Sequence, residues 1–244
     1  LAERVESLVG PKGVAARIRE LLKQKPREET CFQVMAEIID GKFGEFGSNE
    51  SLSEQAIRTG ITILTEGVTA AGTEGISKTK ISSNTDGTKY LSLYLAGPIR
   101  SAGGTSAALT VVLADYVRKL LKLQAYIPTD TEVERYVEEV GIYQTVCYAR
   151  QYKMSDEEIR FLARNCPVCI DGEPTEEIEV SIYKRVPRVE TDRIRGGMAL
   201  VVTEGFGLKS AKLLKISKKH NLGWDWLENF VKIGKRGKIF EKGA

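Results

Sequence analysis

The stretch Leu95-Ala-Gly-Pro-Ile-Arg-Ser-Ala-Gly-Gly-Thr-Ser106 decides how the chain is read. Ahead of it, Lys89 to Leu95 places Leu91, Leu93 and Leu95 on one parity and Tyr90, Ser92 and Tyr94 on the other, which predicts a strand with one face in a core. Behind it, Leu109, Val112, Leu113, Tyr116, Val117, Leu120 and Leu121 recur at three- and four-residue steps with no Gly or Pro between them, which predicts an amphipathic helix of about 17 residues. Gly97, Gly103 and Gly104 permit backbone angles and close approaches that side chains forbid, and a helix start offers unpaired N–H groups to an anion. Two readings of the loop follow: a tight strand-to-helix turn, or a phosphate contact through Arg100. A Walker loop is disfavoured, because Thr105-Ser106 stands where a Lys-Ser/Thr pair is required and no lysine can reach a β- or γ-phosphate.

Working outward, 244 residues at 42% apolar can bury one good core or two modest ones, and no apolar run is long enough for a membrane span. The start carries neither Met nor a basic-then-apolar signal, and the last residues still alternate apolar and polar, so a cytoplasmic excerpt of a longer polypeptide is expected. Four cysteines do not make a disulfide scaffold at this length. Charge is uneven: from Lys184 on there are 15 Lys and Arg against 6 Asp and Glu, whereas residues 1–183 hold 21 against 27. A concentrated positive field attracts a polyanion, although a solvated Lys-rich face is the plainer reading of the count alone.

Residues 1–75 read as a small helical bundle suited to packing or assembly. Gly10-Pro11 breaks the first helix, Val14, Ile18, Leu21 and Leu22 stripe the second, and Phe32, Met35, Ala36 and Ile39 stripe the third up to Gly41. Ser51-Leu-Ser-Glu54 is expected to cap the fourth. The period changes near Gly72 to Gly75, where a domain boundary is placed. Residues 76–244 then form an α+β module, opening with a hairpin turned at Asp86-Gly87. Thr129 to Glu132 and Ser155 to Glu158 are two further capping boxes, on helices expected to reach about Val140 and Arg164.

Cys166-Pro-Val-Cys169 supplies at most half of a zinc site, since Cys31 and Cys147 stand apart and His220 is the only histidine. A disulfide between Cys166 and Cys169, or a reduced structural pair, is the stronger expectation, with no metal. Glu177 onward alternates through Ile178, Val180 and Ile182 as a strand, and Arg193-Ile-Arg-Gly-Gly-Met198 leads into an apolar segment that the pattern does not type. Leu208 to His220 is a helix on which Lys209, Lys212, Lys215 and Lys219 share one face, a better polyanion footprint than scattered lysines. Arg100, Arg193 and Arg195, flanked by glycines, are second-tier phosphate contacts that can equally pair the acids of residues 128–177. Trp224 and Trp226 read as core.

The segments Leu95 to Thr105, Asn165-Cys-Pro-Val-Cys-Ile-Asp-Gly-Glu-Pro-Thr-Glu-Glu177 and Pro187 to Met198, with Glu132-Val-Glu-Arg-Tyr-Val-Glu-Glu139, resemble in the same order the large subunit of the archaeal family D DNA polymerase. The resemblance covers most of the chain. It implies the amino-terminal portion of a longer subunit that extends DNA, uses a divalent metal such as Mg, and pairs with a small exonuclease subunit. It also implies a KH-like nucleic-acid module in this region. The family's polymerase carboxylates and zinc clusters lie outside this span, so no catalytic residue and no cofactor carries over. The leading expectation is a non-catalytic assembly and DNA-binding domain, with a homo-oligomer left open. The competing classes are a docking domain for an acidic protein and a nucleotide-using enzyme built on the Gly97 to Ser106 loop. The latter lacks both the lysine and a Walker-B-like carboxylate.

Overall fold

The computed structural model describes residues 1–146 and 153–232. Cys147 and the terminal basic residues Lys235, Arg236, Lys238 and Lys242 lie outside that set. Four helices come first: α1 (Ala2–Leu8), α2 (Val14–Leu22), α3 (Arg27–Ile39) and α4 (Asn49–Leu64). The apolar stripes read from the sequence do pack inward, with Val14, Ile18, Leu21, Phe32 and Met35 buried. The cap of α4 differs from expectation. Ser48, three residues earlier, accepts from the Ser51 N–H at 3.1 Å, while Glu54 sits in the second turn and pairs with Arg58 at 2.8 Å.

Arg17 of α2 ties the bundle together by donating to Glu37 of α3 through Nε at 2.8 Å and Nη2 at 2.6 Å. Glu37 is almost wholly buried, and the Arg17 guanidinium lowers its carboxyl from 4.5 to about 2. A depressed carboxylate stabilises the fold fully above pH 4.5, and that contribution is lost as pH falls from 4.5 toward 2. Acidification through this window is expected to remove about 2–3 kcal/mol through Glu37, and Glu37→Gln to shrink the acid loss by that much while lowering stability at neutral pH. Urea midpoints at pH 6 and pH 2.5 measure both; an equal acid loss in wild type and variant would contradict the assignment.

The strands β1 (Ile76–Ser83) and β2 (Lys89–Leu95) form the expected antiparallel hairpin, and β3 (Cys169–Gly172) adds in parallel beside β2. As the central strand, β2 is buried on both faces rather than one. Leu91, Leu93 and Leu95 enter the main core. The tyrosine face is covered instead by cationic side chains: Arg188 lies 5.4 Å from the Tyr90 ring, and Lys78 lies 4.6 Å from the Tyr94 ring. The α+β class expected from the sequence therefore holds. One continuous apolar core runs through residues on both sides of Gly72 to Gly75, so the change of period marks a change of structure without a gap in packing.

After a short 3₁₀ turn (Gly97–Ala102), α5 (Gly104–Leu120) has the predicted 17 residues but is buried nearly all round, as a central helix is. Both later capping boxes form, at Thr129 for α6 (Asp130–Val146) and at Ser155 for α7 (Asp156–Asn165). The strand expected from Glu177 does not. Residues 178–180 pair loosely with 192–194 through one bridge, Glu179 to Arg193, and then the Glu138 carboxylate accepts from the N–H groups of Ser181, Ile182 and Tyr183. Ile182, assigned to the buried parity, is 76% exposed. The untyped segment is a buried helix: α8 (Gly196–Leu200) runs through a π-helical stretch (Val201–Gly207) into α9 (Leu208–Lys219). Among the described residues no helix is long and apolar enough to cross a membrane.

Candidate nucleic-acid interface

The α9 helix seats Ser210, Leu213, Ile216 and Ser217 in the interior, which fixes the rotation of the rest. At 100° per residue, Lys209, Lys212, Lys215 and Lys219 fall within an arc of about 120°. Their fates differ. Lys219 is drawn onto α3, with Nζ 3.1 Å from Glu28 and 3.4 Å from Glu29, and its bond to Glu28 raises its pKa. His220 joins the same cluster: its Nε2 is 2.9 Å from Glu28 and its ring stacks on Phe32 at 3.6 Å. Burial works against the charge on Glu28, but His220 and Lys219 hold its carboxyl below the ordinary range. Lys218 is taken by Glu228. Lys209, Lys212 and Lys215 make no ion pair with a described residue, and Lys212 and Lys215 are exposed. The stripe thus contributes three free ammonium groups where its spacing suggested four.

The arginines follow the alternative of pairing nearby acids. Arg100 Nη1 donates to Glu176 at 2.8 Å, and Arg193 Nη2 lies 3.5 Å from Glu177. Both remain partly exposed. Arg195 must be removed from the phosphate-facing set, because it is only 1% exposed and fully engaged. Its Nη2 donates to Glu139 at 2.6 Å, its Nη1 to Asp171 at 2.7 Å, and its own backbone N–H to Glu139 at 2.8 Å. Burial alone would lower its pKa, yet the two carboxylates keep it well above the ordinary value.

In the glycine loop, Gly103 has φ of +79°, a left-handed junction that glycine takes without strain. A Cβ on Gly104 would lie 2.4 Å from the Glu204 carbonyl oxygen, so the first turn of α5 rests directly on the π-helical backbone. Gly103 thus serves the turn and Gly104 the packing of α5 on its neighbour. Cys166 and Cys169 are free, buried thiols, so of the two arrangements expected, disulfide or reduced pair, the disulfide is not formed. Cys166 closes α7 and Cys169 begins β3. Burial pushes both thiols up, Cys169 to about 12, so neither is a ready thiolate. No group of three or more His, Cys, Asp or Glu able to hold a metal occurs among the described residues.

Residues 1–233 match the family model described as DNA polymerase II large subunit DP2, N-terminal. The chain belongs to this family. It is 53% identical over 232 residues to the DNA polymerase II large subunit of Methanoculleus marisnigri, covering 95% of this chain and 18% of the relative. The subunit of Methanocorpusculum labreanum is 52% identical over 232 residues, covering 95% of this chain and 20% of the relative. That of Pyrococcus horikoshii is 49% identical over 245 residues, covering 99% and 17%. The chain spans about a fifth of the length of the curated relatives it matches. The chain thus pairs a helical segment with an α+β segment that carries three lysines, uncompensated among the described residues, on one helix face.

Proposed function

We propose that this chain is the non-catalytic amino-terminal domain of the large subunit of a replicative, cytoplasmic archaeal DNA polymerase of the family D type. It contributes a DNA phosphate-binding face and a surface for assembly with the small exonuclease subunit. The observation that carries the DNA role is the arc of Lys209, Lys212 and Lys215, free of internal partners, in a family whose full-length members are named as polymerase subunits. The helical residues 1–75 are the proposed assembly side, and a KH-like module within 76–244 belongs to the same reading.

Polymerase chemistry implies divalent ions clustered on carboxylates. The buried carboxylates here are unsuited to holding such ions, because Arg195 occupies Glu139 and Asp171, and Arg118 and Trp224 occupy Asp115. We therefore assign the Mg of the parent enzyme to parts of the subunit beyond the described residues. Nucleotide incorporation by the purified 244-residue chain would overturn the non-catalytic assignment.

Each lysine-phosphate contact releases condensed counterions, so affinity falls with salt in proportion to the number of contacts. Replacing Lys209, Lys212 and Lys215 by Ala is expected to flatten the slope of log K against log salt by about 2 to 3 units on duplex DNA, at roughly 0.9 per contact. Alanine is the best helix former, so α9 persists. Fluorescence anisotropy across a salt series measures the slope, and a variant with unchanged affinity and slope would take α9 out of the DNA-binding surface.

A further inference from the structure

The middle of the lysine arc, at Lys212, borders a cleft of about 260 Å³ where α3, α4, α5 and α9 meet. Its floor is apolar: Phe32, Leu64, Leu109, Leu113 and Ile216. Its rim carries Arg27, Glu28 and Lys212. The rim charges are not equivalent. Arg27 is satisfied by Glu66, and Glu28 is satisfied by Lys219 and His220. Lys212 alone on the rim lacks an ion-pair partner among the described residues, and Lys209 and Lys215 flank it one turn away on either side.

We infer that this cleft is a docking site for an acidic protein segment, which inserts one leucine- or phenylalanine-sized side chain between the helices and lays its flanking carboxylates on Lys209, Lys212 and Lys215. The apolar floor and the surplus positive charge select those two features together. A nucleobase suits the cleft less well. Phe32, the one aromatic ring of the floor, is already stacked on His220, and with Arg27 and Glu28 engaged the N–H and C=O edges of a base would lose water without gaining partners. An aliphatic or aromatic side chain carries no such edge, and its burial is favourable. Carboxylates on the lysines then add specificity and register at a solvent-exposed rim.

This inference goes beyond the DNA-binding role and can fail independently of it. A single anchor with a few exposed ion pairs implies a dissociation constant on the order of 0.1–1 mM for a short peptide, which suits detection by methyl chemical shifts. The probe is a peptide with one leucine between two runs of three glutamates, titrated into the whole 244-residue chain, with an alanine-for-leucine peptide as control. The Leu64, Leu109, Leu113 and Ile216 methyl resonances are expected to shift saturably with the leucine peptide, and the alanine peptide to bind at least tenfold more weakly. Leu64→Trp, which fills the cleft and keeps all three lysines, is expected to abolish peptide binding while leaving the DNA salt slope unchanged. The wild-type titration stands whether or not that variant folds. Absence of methyl shifts at millimolar leucine peptide, or equal binding of the alanine peptide, would each overturn the inference.

Discussion

Arg195→Met is expected to destabilise the chain by about 3–5 kcal/mol, the cost of leaving buried carboxylates without their cation. Arg195 sits at the N-cap of α8 and joins three elements, taking Glu139 from α6 and Asp171 from β3. Glu139 also accepts from Arg135 Nε at 3.0 Å, and Arg135 Nη groups donate to the carbonyls of Tyr183 and Thr191. All four charged side chains are buried, so solvent cannot replace the lost partner. Methionine approximates the arginine stem in volume but leaves Asp171 without a cation and Glu139 with Arg135. Against a total stability of about 5–15 kcal/mol typical of single domains, this is a large fraction. Adding Asp171→Leu to the same chain is expected to recover part of the loss, because its uncompensated charge goes with it while Glu139 stays paired with Arg135. Urea unfolding at neutral pH followed by far-ultraviolet circular dichroism measures both. A single variant with a wild-type midpoint would mean that water reaches the carboxylates.

The same arginine shows where sequence reading reaches its limit. Spacing alone allowed Arg195 to meet either a phosphate or an acid, and the choice is made by Glu139 and Asp171, 56 and 24 residues away. Patterns that depend on near neighbours were legible: the length of α5, the β1–β2 hairpin, and the boxes at Thr129 and Ser155. Patterns that depend on the environment were not. The buried run through Val201–Gly207 has no hydrophobic period, because every side of it meets the core. The alternation from Ile178 to Ile182 looked like a strand, yet no neighbouring strand takes it up and Glu138 captures its backbone instead. β3 is four residues long, too short to announce itself. For the candidate site, the lysine arc was legible from i, i+3 spacing, whereas the loss of Lys219 to Glu28 required knowing that α9 packs on α3. The cleft was invisible for the same reason, since its floor is drawn from four helices.

Asp115→Ala is expected to cost about 3 kcal/mol or more, because one fully buried carboxylate serves two donors. Asp115 lies on α5, where its Oδ1 accepts from Arg118 Nε at 2.6 Å and its Oδ2 accepts from the Trp224 indole at 2.8 Å. Arg118 keeps one further bond, to the Leu123 carbonyl, but its charge would be left in a largely buried position. The Trp224 N–H would be left with no partner in an interior site, and that indole anchors the segment after α9 to the central helix. The lost carboxylate therefore loosens residues 222–230 from α5 before it unfolds the whole chain, a local opening that costs less than the global one. Trp224 and Trp226 are the only tryptophans, so intrinsic fluorescence reports on this segment directly. The variant is expected to show a red-shifted emission and a fluorescence transition at lower urea than the transition in helical circular dichroism. Asp115→Asn is expected to fall between, since the amide oxygen can serve one donor while its NH₂ must face the other. Coincident fluorescence and dichroism transitions in Asp115→Ala, with wild-type emission, would show that the Asp115–Trp224 contact does not fasten the segment.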